Sequence, residues 1–466
     1  MKKPSAKAIP AILLAALFAF SSGCTGERDY GTEYNPETDF QYSYDNQNAY
    51  QTMVQSDGKG QYLAKNGYIY YYSNETNKLT PLCNKPNCLH DIESDMNRQN
   101  DCNAFIGRQN EFIQYYEGNV YCFAEDLVEK EKHSCLYRIS RDGSRRDKIF
   151  TASEEMNVNV TAWLIHRGRL YYGLESYTNP NSRNVKYNYS LKSVALSSRM
   201  SDKDAVAIYE TDKNTSASGL GAIKAYQHYI CYAVLTRPRD FESTVREEWI
   251  RVERVPMYLY DTETGQNREI PVPEGNEEYT AIGAVTFLKD RLLVKMYNES
   301  KDNKGKAKYG TYPVPVYSMK YDLTDVKVWK EGVQQGKLLQ TYGDYVILSD
   351  ASLQRMIKIG PYLDPSSPKY LSSIPPFEEM GLTKTNVEIY SADGDRVSYF
   401  VYPMNNKGNF NGFGPDGYNA EFKDNGDGSW SVFRLKLDDV LHCRGERVEP
   451  DCVSTRRYGA LNQPID

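Results

Sequence analysis

The stretch Gly67-Tyr68-Ile69-Tyr70-Tyr71 is a glycine turn followed by an alternating tyrosine-rich strand, and the prediction of the fold starts from it. Similar copies recur along the chain, most of them after a turn with Gly, Asp or Asn. Such turns between alternating strands are typical of β-hairpins. The copies begin at Gly67, Gly118, Gly168, Gln227, Asp290, Gly343 and Gly394, with spacings of 51, 50, 59, 63, 53 and 51 residues.

The near-constant spacing predicts an all-β protein made of one repeated unit. Each copy is preceded by an apolar stretch and followed by further short strands, which is typical of the four-stranded blade of a β-propeller. We therefore expect a single β-propeller over residues 46–440, with seven blades rather than six or eight. A strand near residues 52–55 would complete the first or the last blade. Two β-sandwiches are the alternative, but they would not produce a regular repeat.

The amino-acid composition agrees with this fold and excludes one class of binding partner. The 466 residues include 40 Tyr but only 15 Phe and 4 Trp. Tyrosine favours strands with one solvent-exposed face, because its ring packs against other side chains while its hydroxyl reaches water. The formal charge of −6 argues against nucleic acid as a partner.

The N-terminus has the features of a lipoprotein signal. Three lysines precede an apolar run at residues 8–20, which is too short to span a bilayer as a mature helix. Ser21-Ser22-Gly23-Cys24 then resembles the lipobox of bacterial lipoproteins, although Ser21 stands where an aliphatic residue is usual. We expect residues 1–23 to be the signal peptide and Cys24 to be lipidated. The alternative is a plain secretory signal followed by a free cysteine.

The residues after Cys24 predict how the domain is displayed. Residues 24–45 are polar and lack a sustained apolar period, so we expect a flexible tether. A lipid anchor with such a spacer places the protein on the extracytoplasmic face of the cell membrane. Residues 441–466 are expected to form a short C-terminal tail.

A cluster of cysteines with one histidine lies in the segment at residues 82–105. Cys83, Cys88, His90 and Cys102 follow the pattern Cys-x4-Cys-x-His-x11-Cys. Three thiolates and one imidazole would satisfy tetrahedral zinc, and four protein ligands would make the zinc structural. A disulfide between two of the cysteines is an equal alternative outside the cytoplasm, and free thiols are a third.

Four of the other cysteines form two candidate pairs, and the fifth stands alone. Cys122 and Cys135 flank a hairpin loop and could be cross-strand neighbours, whereas Cys443 and Cys452 close a short loop that favours a disulfide. Cys231 lies in a predicted strand, where a buried thiol behaves as a small apolar group.

Long loops between the second and third strands of the blades are the predicted binding surface. Loops of this kind project from one face of a propeller, and long connections on a rigid scaffold are where binding usually occurs. Each aromatic residue in these loops has the alternative role of packing its loop onto a blade. The candidates are Tyr177, Tyr187, Trp249, Tyr309, Tyr312, Phe410, Phe413 and Tyr418.

The segment Leu82 to Phe105, with the lipobox and the repeat, resembles a family of uncharacterised lipoproteins of clostridial-type gut bacteria. Those proteins look like lipobox-anchored propellers that carry a domain of unknown function. The resemblance covers most of the chain in kind but few residues in identity. It implies a cell-surface propeller and implies no activity.

The sequence favours a binding or scaffold module for an extracellular protein or glycan over an enzyme. It contains no nucleophile elbow, no Walker loop and no His-Glu-x-x-His motif, and its five histidines are scattered. One alternative is a propeller enzyme that acts on extracellular glycans through a central pocket. Another is a metal- or redox-sensing module at the cysteine-rich segment.

Overall fold

A computed structural model describes residues 30–35, 39, 43–44, 54–107, 112–128, 131–153, 158–178, 186–241, 254–274, 281–297, 313–350, 384–403, 410, 412–414, 416–425 and 427–457. The chain divides into two units, residues 1–32 and residues 33–466. The described part of the first unit, residues 30–32, contains neither helix nor strand. All of the described strands belong to the second unit.

The strands form seven separate sheets. The first strand, β1 (Ser43–Tyr44), joins the fourth sheet. The first sheet contains β2 (Val54–Ser56), β3 (Gly60–Lys65), β4 (Tyr68–Ser73) and β5 (Lys78–Pro81). The second contains β6 (Gln114–Tyr116), β7 (Asn119–Val128), β8 (Glu131–Ser140) and β9 (Arg146–Thr151). The third contains β10 (Val158–His166), β11 (Arg169–Thr178), β12 (Lys186–Ala195) and β13 (Val206–Glu210).

The remaining sheets continue in chain order. The fourth adds β14 (Thr215–Tyr226), β15 (Tyr229–Pro238), β16 (Met257–Asp261) and β17 (Asn267–Glu269) to β1. The fifth contains β18 (Ala281–Leu288), β19 (Arg291–Tyr297), β20 (Pro313–Lys320) and β21 (Lys327–Gln334). The sixth contains β22 (Lys337–Tyr342), β23 (Tyr345–Asp350), β24 (Lys384–Ser391), β25 (Arg396–Pro403) and β28 (Arg444–Arg447). The seventh contains β26 (Tyr418–Asp424), β27 (Ser429–Lys436) and β29 (Asp451–Arg457).

The seven sheets are the blades of a β-propeller, which confirms the predicted fold class. First strands of neighbouring blades lie against one another, β10 with β14 and β18 with β22, so they form the inside of the ring. The predicted strand near residues 52–55 is β2, and it completes the first blade rather than the last.

The core lies between neighbouring blades. Trp163 and Tyr172 of the third blade pack with Phe123 and Phe150 of the second. The Tyr172 hydroxyl donates a hydrogen bond to Asp202 at 2.5 Å, so the ring is buried while its polar end is satisfied. This arrangement explains why tyrosine suits so many of the strand positions.

Tight turns with left-handed backbone join the strands of several hairpins, as the repeat predicted. In the first blade Asn66 and Gly67 have φ values of 54° and 83°, and in the second Glu117 and Gly118 have 42° and 79°. Positive φ at both central residues is the mark of a turn whose twist matches the flanking strands.

The predicted blade boundaries are wrong near the C-terminus although the count is right. The turn at Gly394 joins β24 and β25 within the sixth blade and does not begin a new one. The seventh blade instead begins at β26, inside a segment that the repeat predicts to be a long loop. The error arises because the repeat marks any tight hairpin turn, wherever that turn lies in a blade.

Two segments outside the predicted propeller boundaries take part in its sheets. β28 pairs in parallel with β25, and β29 pairs with β27 as the outer strand of the last blade. These strands lie in the stretch predicted to be a tail. The boundary therefore moves to Arg457 at least, because strand pairing over a long sequence separation leaves little local signal.

Part of the predicted tether is also bound to the propeller. β1 pairs with the inner edge of β14, and both carboxylate oxygens of the fully buried Asp39 accept hydrogen bonds from Arg167 at 2.5 and 2.7 Å. Tyr34 stacks on Tyr226, with ring centres 5.0 Å apart. We call residues 33–35, 39 and 43–44 the strap.

Helical structure is scarce in the described residues. It consists of α1 (Met96–Asn100), α2 (Leu437–Val440) and two short 3₁₀ turns. No helix in these ranges has the length and apolar character needed to cross a membrane.

Candidate metal centre

The cysteine-rich segment interrupts a strand of the first blade. After β5, Leu82 still donates its backbone N–H to Ile69 O at 2.8 Å. The chain then leaves the sheet and returns at Ala104, whose carbonyl accepts from Ile69 N at 2.8 Å. We call residues 83–103 the insert. Both of its ends are fixed on the same strand, so its side chains are held over a rigid base.

The insert brings the four predicted ligands together. One ligand atom from each of Cys83, Cys88, His90 and Cys102 lies within 4.8 Å of the other three. The Cys102 Sγ and His90 Nδ1 atoms are 3.7 Å apart, and ligand atoms of a tetrahedral zinc site are expected at about 3.5–3.8 Å from one another. We call these four side chains the metal centre. All three of its cysteines are free thiols in this structure, not disulfides.

The electrostatic environment differs among the ligands. Burial tends to raise the pKa of Cys83, but backbone N–H groups of Lys85 and Asn103 hydrogen-bond to its sulfur, and the net pKa is lowered. Burial, and then the nearby Cys83 sulfur, raise the pKa of Cys102. Burial also lowers the pKa of His90, which favours the neutral imidazole that binds metals. The site therefore offers one readily formed thiolate and one neutral ring, and a bound cation would favour ionisation of the remaining thiols.

Two residues in the insert adopt left-handed backbone at points where the chain turns towards the centre. Asn87 has a φ of 60° and His90 a φ of 54°. A non-glycine residue in this region costs free energy and is usually held there by its surroundings. The His90 carbonyl accepts a hydrogen bond from the Tyr68 hydroxyl at 3.2 Å, which fixes this backbone on the first blade.

Hydrogen bonds from the second blade hold the C-terminal end of the insert in place. The Arg146 guanidinium donates to the carbonyls of Asn100, Cys102 and Phe105 at 2.6, 2.9 and 2.5 Å. The Gly143 carbonyl accepts from the Asn103 side chain at 2.8 Å. Five donors in a planar fork let one arginine hold several carbonyls at once. The position of Cys102 is thus set by contacts from outside the insert.

A cleft lies beside the metal centre, and Cys83 and His90 form part of its wall. Its volume is about 1010 Å³. The other lining residues combine a tyrosine ring with amides and charges, and they are Lys59, Tyr71, Ser73, Asn74, Glu75, Thr80, Pro81, Leu82, Asn84, Arg141 and Asp142. No local pattern of residues predicts this cleft, because its wall combines parts of the first blade, the insert and the turn between β8 and β9.

The predicted binding aromatics that the structure describes lie in different blades. Tyr177 and Tyr187 lie opposite each other on β11 and β12, with ring centres 6.3 Å apart. Trp249, Tyr309 and Tyr312 lie outside the described residues.

The structure corrects two of the three remaining candidates. Phe410 is fully buried and Phe413 nearly so, and both belong to the apolar core of the sixth and seventh blades. Tyr418 begins β26 and lies under the Arg434 guanidinium, whose central carbon is 3.8 Å from the ring centre. Packing therefore occupies the rings of Phe410 and Phe413, which lie in the core rather than in a projecting loop. Tyr418 is half-buried, and its role in binding stays a prediction.

The structure shows no disulfide in either of the other two cysteine pairs. Cys122 lies opposite Tyr137 and Cys135 lies opposite Ala124, so the two thiols are not direct cross-strand neighbours. Cys443 is buried whereas Cys452 is exposed, and both are free. The disulfide predicted between them is therefore wrong, because Cys443 leads into β28 of the sixth blade whereas Cys452 lies in β29 of the seventh. Cys231 is buried, as expected of a small apolar group.

No known protein-family profile matches this sequence, and no curated protein sequence matches it. Solved structures with a similar fold include a prolyl endopeptidase, with a TM-score of 0.43 and 11% identity over 87% of this chain and 49% of that one. Prolyl oligopeptidase B from Galerina marginata has a TM-score of 0.41 and 9% identity, covering 91% of this chain and 52% of that one. Dipeptidyl peptidase 4 from Porphyromonas gingivalis has a TM-score of 0.38 and 12% identity, covering 83% and 51%. This chain thus spans about half the length of these peptidases, and the likeness concerns the propeller fold only.

Proposed function

We propose that this protein is a surface-anchored binding module whose first blade is stabilised by a structural zinc ion. The observation that carries the proposal is the convergence of four protein ligands within 4.8 Å. Four ligands fill the tetrahedral coordination of zinc and leave no position for water or substrate. The metal would therefore support the architecture beside the cleft, not catalyse a reaction.

Metal analysis of the purified protein tests the zinc site. We expect one zinc ion per chain in the wild type and its loss in Cys102→Ser, because three remaining ligands bind zinc much more weakly. Cys231→Ser is the matched control, since this buried thiol lies in the fourth blade away from the insert, and it should keep its zinc. A metal-free wild type with a mapped disulfide among the three cysteines would refute the site.

The cleft is the place where we propose that the ligand binds. Tyr71 supplies a ring, while exposed Lys59 and Asn84 supply polar groups to the wall of the same cleft. An aromatic ring flanked by amides and charges suits the mixed polar and apolar surface of a glycan or a peptide. The metal centre forms part of the wall, so zinc would fix the shape of this site.

A glycan array and a pull-down of surface proteins, both with the Cys24→Ala form of the chain, would identify the ligand. We expect Lys59→Ala combined with Asn84→Ala to weaken binding about tenfold, because both side chains lose direct contacts. Lys213→Ala, at an exposed turn between the third and fourth blades, is the control and should bind normally. Equal binding by the double variant would place the ligand elsewhere.

The surface location rests on the lipobox-like sequence before Cys24 and on the resemblance to clostridial-type propeller lipoproteins. We propose that a lipid on Cys24 holds the protein on the extracytoplasmic face of the cell membrane. Cys24→Ala should move the protein from the membrane fraction to the soluble fraction. If the variant stays with the membrane as the wild type does, the anchor is wrong.

A further inference from the structure

The ring of blades closes between the first and the last blade without a shared strand in the described part of the chain. Every strand of the seventh sheet follows residue 417, and every strand of the first precedes residue 82. Side chains therefore hold this closing joint. Tyr70 packs edge-on against Trp430, with ring centres 5.2 Å apart.

A polar network extends the closing joint to its outer edge. Both carboxylate oxygens of Asp91 accept hydrogen bonds from Arg456, each at 2.6 Å. The Tyr70 hydroxyl donates to the same carboxylate at 3.1 Å. The Asp91 side chain is 4% exposed and that of Arg456 is 28% exposed, so water screens this pair only in part. Arg456 belongs to β29 and lies opposite Trp430 of β27, so the ion pair and the ring contact act on neighbouring residues of the last blade.

Asp91 reaches Arg456 from the insert and directly follows a ligand of the metal centre. His90 and Asp91 share one 3₁₀ turn, and the carbonyl of His90 is fixed by Tyr68. The insert contains little other regular structure, since its remaining element is the five-residue α1. A loop of this kind has a large conformational entropy when nothing ties its middle, and a metal ion that joins four of its residues removes much of that entropy.

We propose that the metal centre is a latch for the propeller: bound zinc holds Asp91 on Arg456, and loss of zinc loosens the closing joint. The inference rests on the proposed zinc site and adds a consequence for the whole ring. When the metal leaves, the insert regains freedom and the Asp91 carboxylate no longer stays on the last strand. Arg456 then loses its partner, and β29 becomes the weakest part of the last blade.

Hydrogen exchange of the full-length protein, with zinc and after chelation, tests the latch. We expect amides of residues 451–457 to exchange about tenfold faster or more after chelation, because local opening of an edge strand limits their exchange. Residues 281–297 of the fifth blade are the internal control and should not change. Zinc content is measured on the same samples.

Asp91→Asn separates the latch from the metal. Asparagine keeps the size of the side chain but removes its charge, so this variant should retain zinc and still show fast exchange at residues 451–457. Asp147→Asn is the matched control, because Asp147 pairs with Arg138 and Arg145 within the second blade, and it should behave as the wild type.

The outcomes distinguish the two proposals. Wild-type protein without zinc would overturn the metal centre and the latch together. Protein that holds zinc, loses it on chelation and keeps its protection at residues 451–457 would overturn the latch alone. Faster exchange in both the chelated wild type and zinc-loaded Asp91→Asn would support it.

Discussion

At the residue scale, His166 shows how a polar side chain joins two blades. It ends β10 of the third blade, is almost fully buried, and its Nε2 lies 2.5 Å from the Gln227 carbonyl in the turn between β14 and β15. Because a carbonyl only accepts hydrogen bonds, Nε2 carries the proton and donates. Burial lowers the pKa of His166 to about 4, so the ring is neutral in the folded protein near neutral pH.

This lowered pKa predicts a defined loss of stability in acid. Below about pH 6.5 the unfolded chain protonates this histidine, whereas the folded protein does so only near pH 4. The His166 contribution to the free energy of unfolding should therefore fall between these values, by up to about 1.4 kcal/mol per pH unit.

Urea unfolding of the wild type and His166→Asn between about pH 7 and about pH 5 would measure this effect. The stability advantage of the wild type should shrink as the pH falls. A difference that stays constant with pH would show that His166 does not change its pKa on folding.

At the element scale, the turn between β8 and β9 determines how closely the second blade approaches the insert. Gly143 in this turn has a φ of 70°, and a Cβ there would lie 2.5 Å from the Leu82 carbonyl carbon and 2.7 Å from Cys83 N. Both neighbours are backbone atoms, so a side chain would force the start of the insert away. The turn therefore supports the metal centre although it binds no metal.

Gly143→Ala should weaken zinc binding and lower the melting temperature. The matched control is Gly265→Ala, because Gly265 has the same φ of 70° but a Cβ there would meet no atom within 4 Å. The control carries only the left-handed backbone cost, about 1–2 kcal/mol, whereas Gly143→Ala adds the displacement of Cys83. Thermal unfolding and zinc titration of both variants provide the comparison, and equal effects would mean that the close contact is unimportant.

At the scale of the whole molecule, the C-terminal strands complete two blades. β28 covers the edge of the sixth blade, and β29 gives the last blade its third strand. Without them the last blade would keep two strands and would lose Arg456, its polar link to Asp91. An isolated two-stranded hairpin is marginally stable in water, so the ring needs this segment.

A chain truncated after Val440 should therefore fold poorly. We expect a lower yield of monomeric protein and a broad thermal transition, because the last blade would expose its strand edge and apolar core. Size-exclusion chromatography and thermal unfolding against the full chain would check this. A truncated protein that melts as sharply and at the same temperature would show that residues 441–466 are a tail, as the sequence suggested.

The structural features that depend only on neighbouring residues can be predicted from the amino-acid sequence. Alternating strands and left-handed turns such as Asn66-Gly67 are local, so the repeat predicted an all-β propeller and the first six of its blades. The convergence of the four candidate ligands is also predictable from the sequence, because they lie within one insert of the chain. A short segment keeps its residues close together whatever the rest of the chain does.

Contacts between distant parts of the chain are visible only in the folded structure. It placed Asp91 on Arg456, Asp39 on Arg167 and Arg146 on the carbonyls of the insert. It also shows that Phe410 lies in the core rather than in a projecting loop, and that β29 is part of the last blade. These contacts depend on which blades become neighbours when the ring closes, and closure is a property of the whole chain that no local pattern records.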